Sequence, residues 1–133
     1  MMTHRELATA MPVVLVIDDD PAVRNSLKFA LEIEGFSVRL YPTGAELLDD
    51  KDMPESGCLV TDYHLAGMNG LDLLARLRER NIRLPAILIM THPSATIRNQ
   101  AALAGARLIE KPLLSDSLFH GIRTALGETG VHQ

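Results

Sequence analysis

One cysteine stands in a chain of 133 residues, so no disulfide framework is possible. Cys58 lies inside an apolar run, which marks it as a small core residue rather than a nucleophile. No basic stripe breaks the mixture of acidic and basic side chains, and the net charge is −4. That balance argues against binding nucleic acid or an anionic membrane. No apolar run reaches membrane-spanning length, and residues 1–11 lack the apolar centre of a signal peptide. The expected compartment is therefore the cytoplasm. Linkers, internal repeats and low-complexity stretches are also missing. The chain is too short for two domains, yet with 47% hydrophobic residues it can bury a real core.

What is present is a regular alternation of strand-like and helix-like segments. Val13–Ile17 is a continuous apolar run and reads as a strand. Asp20 can cap the helix that follows, with Pro21 at its first position, where a missing N–H costs nothing. Val23, Leu27, Ala30 and Leu31 recur at helical spacing up to Gly35. Phe36–Tyr41 alternates as a second strand, and Thr43-Gly44-Ala45-Glu46 opens a short helix through Leu48 with a capping-box pattern. Cys58–Thr61 is strand three, and Leu71, Leu74 and Leu77 stripe the third helix. Ala86–Met90 and Arg107–Glu110 are the last two strands. Ile97, Ala101 and Ala104 mark the helix between them; Leu118, Ile122 and Ala125 mark a final helix that Ser115 can cap. This pattern predicts an α/β fold of the flavodoxin-like, doubly wound kind. Its five-stranded parallel sheet has the order 2-1-3-4-5, with five helices on its two faces. The domain would occupy residues 12–127, between tails at 1–11 and 128–133.

In that order strands one and three adjoin at the topological switch point, where ligands bind beyond the carboxyl ends. Asp18-Asp19-Asp20 follows strand one, Asp62 follows strand three, Thr91 ends strand four and Lys111 ends strand five. At about 4.8 Å between strands, Asp18 and Asp19 approach Asp62, and Lys111 starts roughly 10 Å from it, within reach of its side chain. Carboxylates this close repel, and a hard divalent cation relieves the repulsion. Mg2+ fits because it needs few carboxylates and keeps its waters. It would also neutralise charge on a phosphoryl group arriving at Asp62. Lys111 would pair with one phosphoryl oxygen and the Thr91 hydroxyl would donate to another. A carboxylate that takes phosphate forms an acyl phosphate.

Four motifs, in order, now resemble one family. Val14-Leu15-Val16-Ile17-Asp18-Asp19-Asp20, Leu59-Val60-Thr61-Asp62 with Gly67-Met68-Asn69-Gly70, Ile89-Met90-Thr91 and Ile109-Glu110-Lys111-Pro112 look like the receiver domain of two-component response regulators, of the nitrogen-fixation type. The likeness runs from Val13 to Gly127. It implies that Asp62 is the phosphoacceptor. Asp19 and Asp62 would bind Mg2+ directly, with Asp18 assisting and the His64 backbone carbonyl as a further ligand. Thr91 and Lys111 match the family's switch threonine and phosphate-contacting lysine, and the Lys111–Pro112 bond would be cis. The resemblance further implies a sensor histidine kinase or histidine phosphotransfer protein as donor, a downstream protein target, and homodimer formation as an option. The signalling surface would include Ile97, Leu108, His120 and Arg123. Such a domain is not an enzyme beyond its own Mg2+-dependent phosphorylation and dephosphorylation.

Several positions depart from the family pattern. His92 stands where a small residue usually follows the threonine, so its bulk is expected to modulate the pocket by shielding the acyl phosphate, unless it simply points into solvent. Leu108 replaces an aromatic, Ala66 a proline, and the segment from Gly105 to Lys111 is one residue short. Residues 128–133 cannot hold an output domain, so a stand-alone receiver acting through partners is expected. Two rivals remain: a degenerate receiver that binds without being phosphorylated, and a haloacid-dehalogenase-type phosphatase built on Asp18-x-Asp20. The phosphatase needs an acidic pair after its lysine, and only Asp116 follows Lys111. Asp20 reads most simply as a helix cap, Asn69-Gly70 as a helix start, and His4, His120 and His132 as surface residues. His64 and His92 flank the pocket.

Overall fold

The computed structural model describes residues 13–111 and 116–127. Five strands and five helices alternate: β1 (Val13–Ile17), α1 (Pro21–Ile33), β2 (Ser37–Tyr41), α2 (Gly44–Asp49), β3 (Cys58–Asp62), α3 (Gly70–Glu79), β4 (Ala86–Met90), α4 (Ala95–Leu103), β5 (Arg107–Glu110) and α5 (Asp116–Ala125). The strands form one all-parallel sheet in the order β2-β1-β3-β4-β5, the doubly wound topology predicted above. Among the described residues no helix is long and apolar enough to cross a membrane.

Side chains alternate across each strand, so β1 divides its residues between two cores. Val14 and Val16 pack with Leu27 and Leu31 of α1 and with Leu118 and Ile122 of α5. Leu15 and Ile17 face the other way, onto Leu47 of α2 and Leu73, Leu74 and Leu77 of α3. All five residues of β3 and of β4 are buried, as expected of strands covered on both faces. Cys58 is among them, fully buried.

The helix starts follow their sequence signals. The Asp20 carboxylate accepts the Ala22 N–H, Thr43 Oγ1 accepts from Glu46 N, and Asn69 and Asp72 form a reciprocal capping box. Gly35, at φ +97°, ends α1 in the left-handed conformation that a Cβ disfavours.

Three expectations need correction. Phe36 is buried but precedes β2 rather than belonging to it. On α3 the core face is Leu73-Leu74-Leu77; Leu71 is only half-buried. On α4 only Ala101 is buried, while Ile97 is half-buried and Ala104 exposed, because this short helix covers just the β5 end of the sheet. The Ser115 cap and the Lys111–Pro112 bond lie outside the described residues, as do both expected tails.

Candidate functional site

Strand register brings the polar residues to one edge. Ile17 pairs with Thr61, so Asp18 lies beside Asp62; Asp62 pairs with Ile89, and Met90 with Glu110, which sets Thr91 and Lys111 just beyond. Asp62 is the last residue of β3 and is 8% exposed. Lys111 reaches it directly, Nζ to Oδ2 at 2.7 Å. The His64 backbone N–H donates to the other oxygen, Oδ1, at 2.9 Å. The lysine backbone is anchored as well, its N–H donating to the Met90 carbonyl at 2.9 Å.

Below Asp62 the start of α3 is pressed against β3. A Cβ on Gly70 would stand 2.9 Å from Leu88 Cδ2, 3.1 Å from the Asp62 carbonyl oxygen and 3.3 Å from Tyr63 Cα. The Gly70 N–H donates to the Tyr63 carbonyl at 2.7 Å, closing the turn that carries His64. Glycine is therefore required here by close approach of backbone to backbone.

Asp18 is 4% exposed. Its Oδ1 accepts the Asp20 N–H at 2.9 Å, and its own N–H donates to the Tyr41 carbonyl at 3.2 Å. Burial pushes the Asp18 carboxyl above the usual range; the Asp20 N–H opposes this, the Asp62 charge adds to it, Lys111 opposes it, and Asp19 adds again. Two neighbouring carboxylates are thus crowded at one buried edge, as the sequence implied. Asp19 itself is exposed, at the rim, and Asp20 is committed to capping α1. That commitment removes the second carboxylate a dehalogenase-type phosphatase would use.

One participant had no sequence signal. The Arg24 guanidinium, on α1, donates from Nη1 to the Asp18 carbonyl at 2.9 Å and so ties the acidic turn to its helix. An arginine on a polar helix face reads as solvated, so only the fold could place it here.

Among the described residues, no three His, Cys, Asp or Glu side chains form a closed metal cage. An all-oxygen, incomplete set of crowded carboxylates is nevertheless what suits Mg2+, which keeps several waters and takes few protein ligands. His64 contributes its N–H to Asp62, while its exposed ring meets Tyr63 edge-on at 5.0 Å.

Thr91 is exposed, and its hydroxyl makes no hydrogen bond among the described residues. His92 adopts φ +50°, and its side chain is 88% exposed, with Nδ1 3.8 Å from Glu110 Oε2. The ring is thus largely open to solvent, beside Glu110. On the expected signalling surface Ile97 and Leu108 are half-buried and His120 exposed. Arg123 is engaged within the fold. Its guanidinium pairs with Glu34 at the end of α1, 3.0 Å to Oε1, and lies 5.3 Å over the Phe36 ring, so it seals the α1–α5 seam.

A parallel sheet of this order, with carboxylates and one lysine gathered at its switch point, is the doubly wound, flavodoxin-like class of α/β fold. The chain belongs to the response regulator receiver family: the model described as "Response regulator receiver domain" matches residues 14–123. The transcriptional regulatory protein FixJ of Azorhizobium caulinodans is 36% identical over 117 residues, covering 87% of this chain and 56% of that protein. The crystal structure of full-length FixJ from B. japonicum superposes with a TM-score of 0.80 at 32% identity, over 88% of this chain and 58% of that one. A CheY-like receiver domain protein from Methanospirillum hungatei gives 0.80 at 26% identity, over 93% and 100%. The chain spans about half the length of the FixJ proteins it matches.

Proposed function

We propose that this domain receives a phosphoryl group on Asp62 from a histidine kinase or a histidine phosphotransfer protein and signals through a partner surface. The observation that carries the reading is the 2.7 Å bond between Lys111 Nζ and Asp62 Oδ2 at the sheet's switch point. It sets the lysine's nitrogen against a buried carboxyl group at the place a phosphoryl group would occupy. Receiver domains bind Mg2+. Here Asp18, Asp19, Asp62 and the His64 carbonyl would hold it, and the bound ion would offset charge on the phosphoryl oxygens.

Phosphoryl transfer then needs little from the protein beyond placement. A carboxylate oxygen of Asp62 attacks phosphorus as the bond to the donor's imidazole nitrogen breaks, leaving an acyl phosphate on Asp62 and a neutral histidine on the donor. The His64 N–H keeps the carboxylate oriented during attack. Lys111 carries three N–H donors and can bond an incoming phosphoryl oxygen without leaving Asp62. Thr91 would donate its hydroxyl to another oxygen. The signalling surface would comprise Ile97, Leu108, His120 and Arg123, with self-association of receivers as one output.

Acetyl phosphate tests the proposal without a kinase. With Mg2+, intact-mass spectra should gain a single phosphoryl group; Asp62→Asn should gain none, and Lys111→Ala should retain the label weakly. Equal labelling of wild type and Asp62→Asn would remove Asp62 from the role.

A further inference from the structure

Glu110 has no part in the pocket, yet it joins three elements. It is the last residue of β5 and exposed. One carboxylate oxygen, Oε1, accepts from Arg98 Nη2 on α4 at 3.1 Å; the other, Oε2, lies 3.8 Å from His92 Nδ1 in the loop between β4 and α4. Arg98 supplies the permanent bond, and His92 adds attraction when its ring carries a proton. The His92 backbone is itself unusual. Among the described residues only His92 and Asn81 have positive φ without being glycine, and such outliers persist when their surroundings hold them.

Thr91 sits between two ties. On one side Met90 accepts the Lys111 N–H at 2.9 Å; on the other His92 leans on Glu110. Thr91 is exposed, and a bond from its hydroxyl to a phosphoryl group on Asp62 would draw on the same loop that His92 ties to Glu110. We propose that Glu110 is a positioning residue for phosphoryl transfer: by clasping His92 and Arg98 it holds the Thr91 loop outward until the phosphoryl group draws it in. This rests on the reading of Asp62 as the acceptor. Exposed ion pairs are individually weak, so the clasp shifts the loop's populations by about threefold rather than locking it.

The test pairs two measurements on the full chain. Hydrogen exchange of the unphosphorylated protein should quicken about threefold in residues 91–98 of Glu110→Gln, with β1 and β3 unchanged, and return toward wild type in Arg98→Lys, which keeps the cation. Labelling by acetyl phosphate should be about threefold faster in Glu110→Gln. Exchange that is unchanged in residues 91–98, that rises throughout the chain, or that quickens without faster labelling overturns the clasp. Failure of wild type to take any label overturns the Asp62 reading, and with it the role of Glu110 in transfer, whatever exchange reports.

Discussion

Replacing Asp18 by Asn should make this protein more stable at neutral pH, although the residue belongs to the site. The amide keeps an oxygen for the Asp20 N–H at the Oδ1 position while removing one of two crowded negative charges. At a strand spacing of about 4.8 Å and an effective dielectric of about 20, two such charges repel by roughly 3 kcal/mol. Lys111 already offsets part of this through Asp62, leaving a net gain on the order of 1 kcal/mol, or about 4 °C in Tm for a domain of this size. The pH dependence follows from the direction of the shift. Asp18 titrates above its ordinary 3.8 when folded, so the folded chain holds that proton more tightly than the unfolded one. The destabilisation is absent below the unfolded pKa, grows as pH rises, and is complete above the folded pKa. Urea denaturation of both proteins from pH 4 to 8 should give curves that diverge with increasing pH. Millimolar Mg2+ should stabilise wild type and have much less effect on Asp18→Asn, because a ligand held only by the folded state raises its stability. A variant less stable than wild type at pH 7, or an offset constant across the range, would refute the crowding argument.

Gly70→Ala should cost about 1–3 kcal/mol, since the added Cβ meets Asp62 and Tyr63 backbone that cannot swing aside. It should also slow labelling at Asp62, and a variant of unchanged urea midpoint would show that the packing has slack. Cys58, whose thiol burial pushes up to about 12, should resist an aromatic disulfide reagent at pH 8 in the folded protein and react fully in urea. Fast modification without denaturant would mean that β3 opens locally.

The sheet was legible because β1 and β4 are unbroken apolar runs, β2 alternates, and several helices begin at a recognisable cap, as Asp20, Thr43 and Asn69 illustrate. Asp62 and Lys111 were legible as partners because parallel order alone sets their strands' ends on one edge. Helix faces were harder to read. Leu71, Leu73, Leu74 and Leu77 offer two overlapping stripes, and the choice is made by Gly70 pressing the helix start onto β3. Long polar side chains were the least legible. Arg24 turns back to the Asp18 carbonyl and Arg123 reaches Glu34, 89 positions away, contacts that no local pattern encodes. His92 likewise lies beside Glu110 of β5, a contact no local pattern encodes.

The pocket's parts are scattered along the chain: Asp62 and Lys111 are 49 residues apart, and Asp18 is brought beside them only by the pairing of β1 with β3. No fragment, and no intermediate with β5 undocked, can therefore hold a carboxylate and its lysine together. Pairings that close such long loops make a parallel sheet slow to fold. The Asp62–Lys111 pair therefore exists only where β3, β4 and β5 are assembled together.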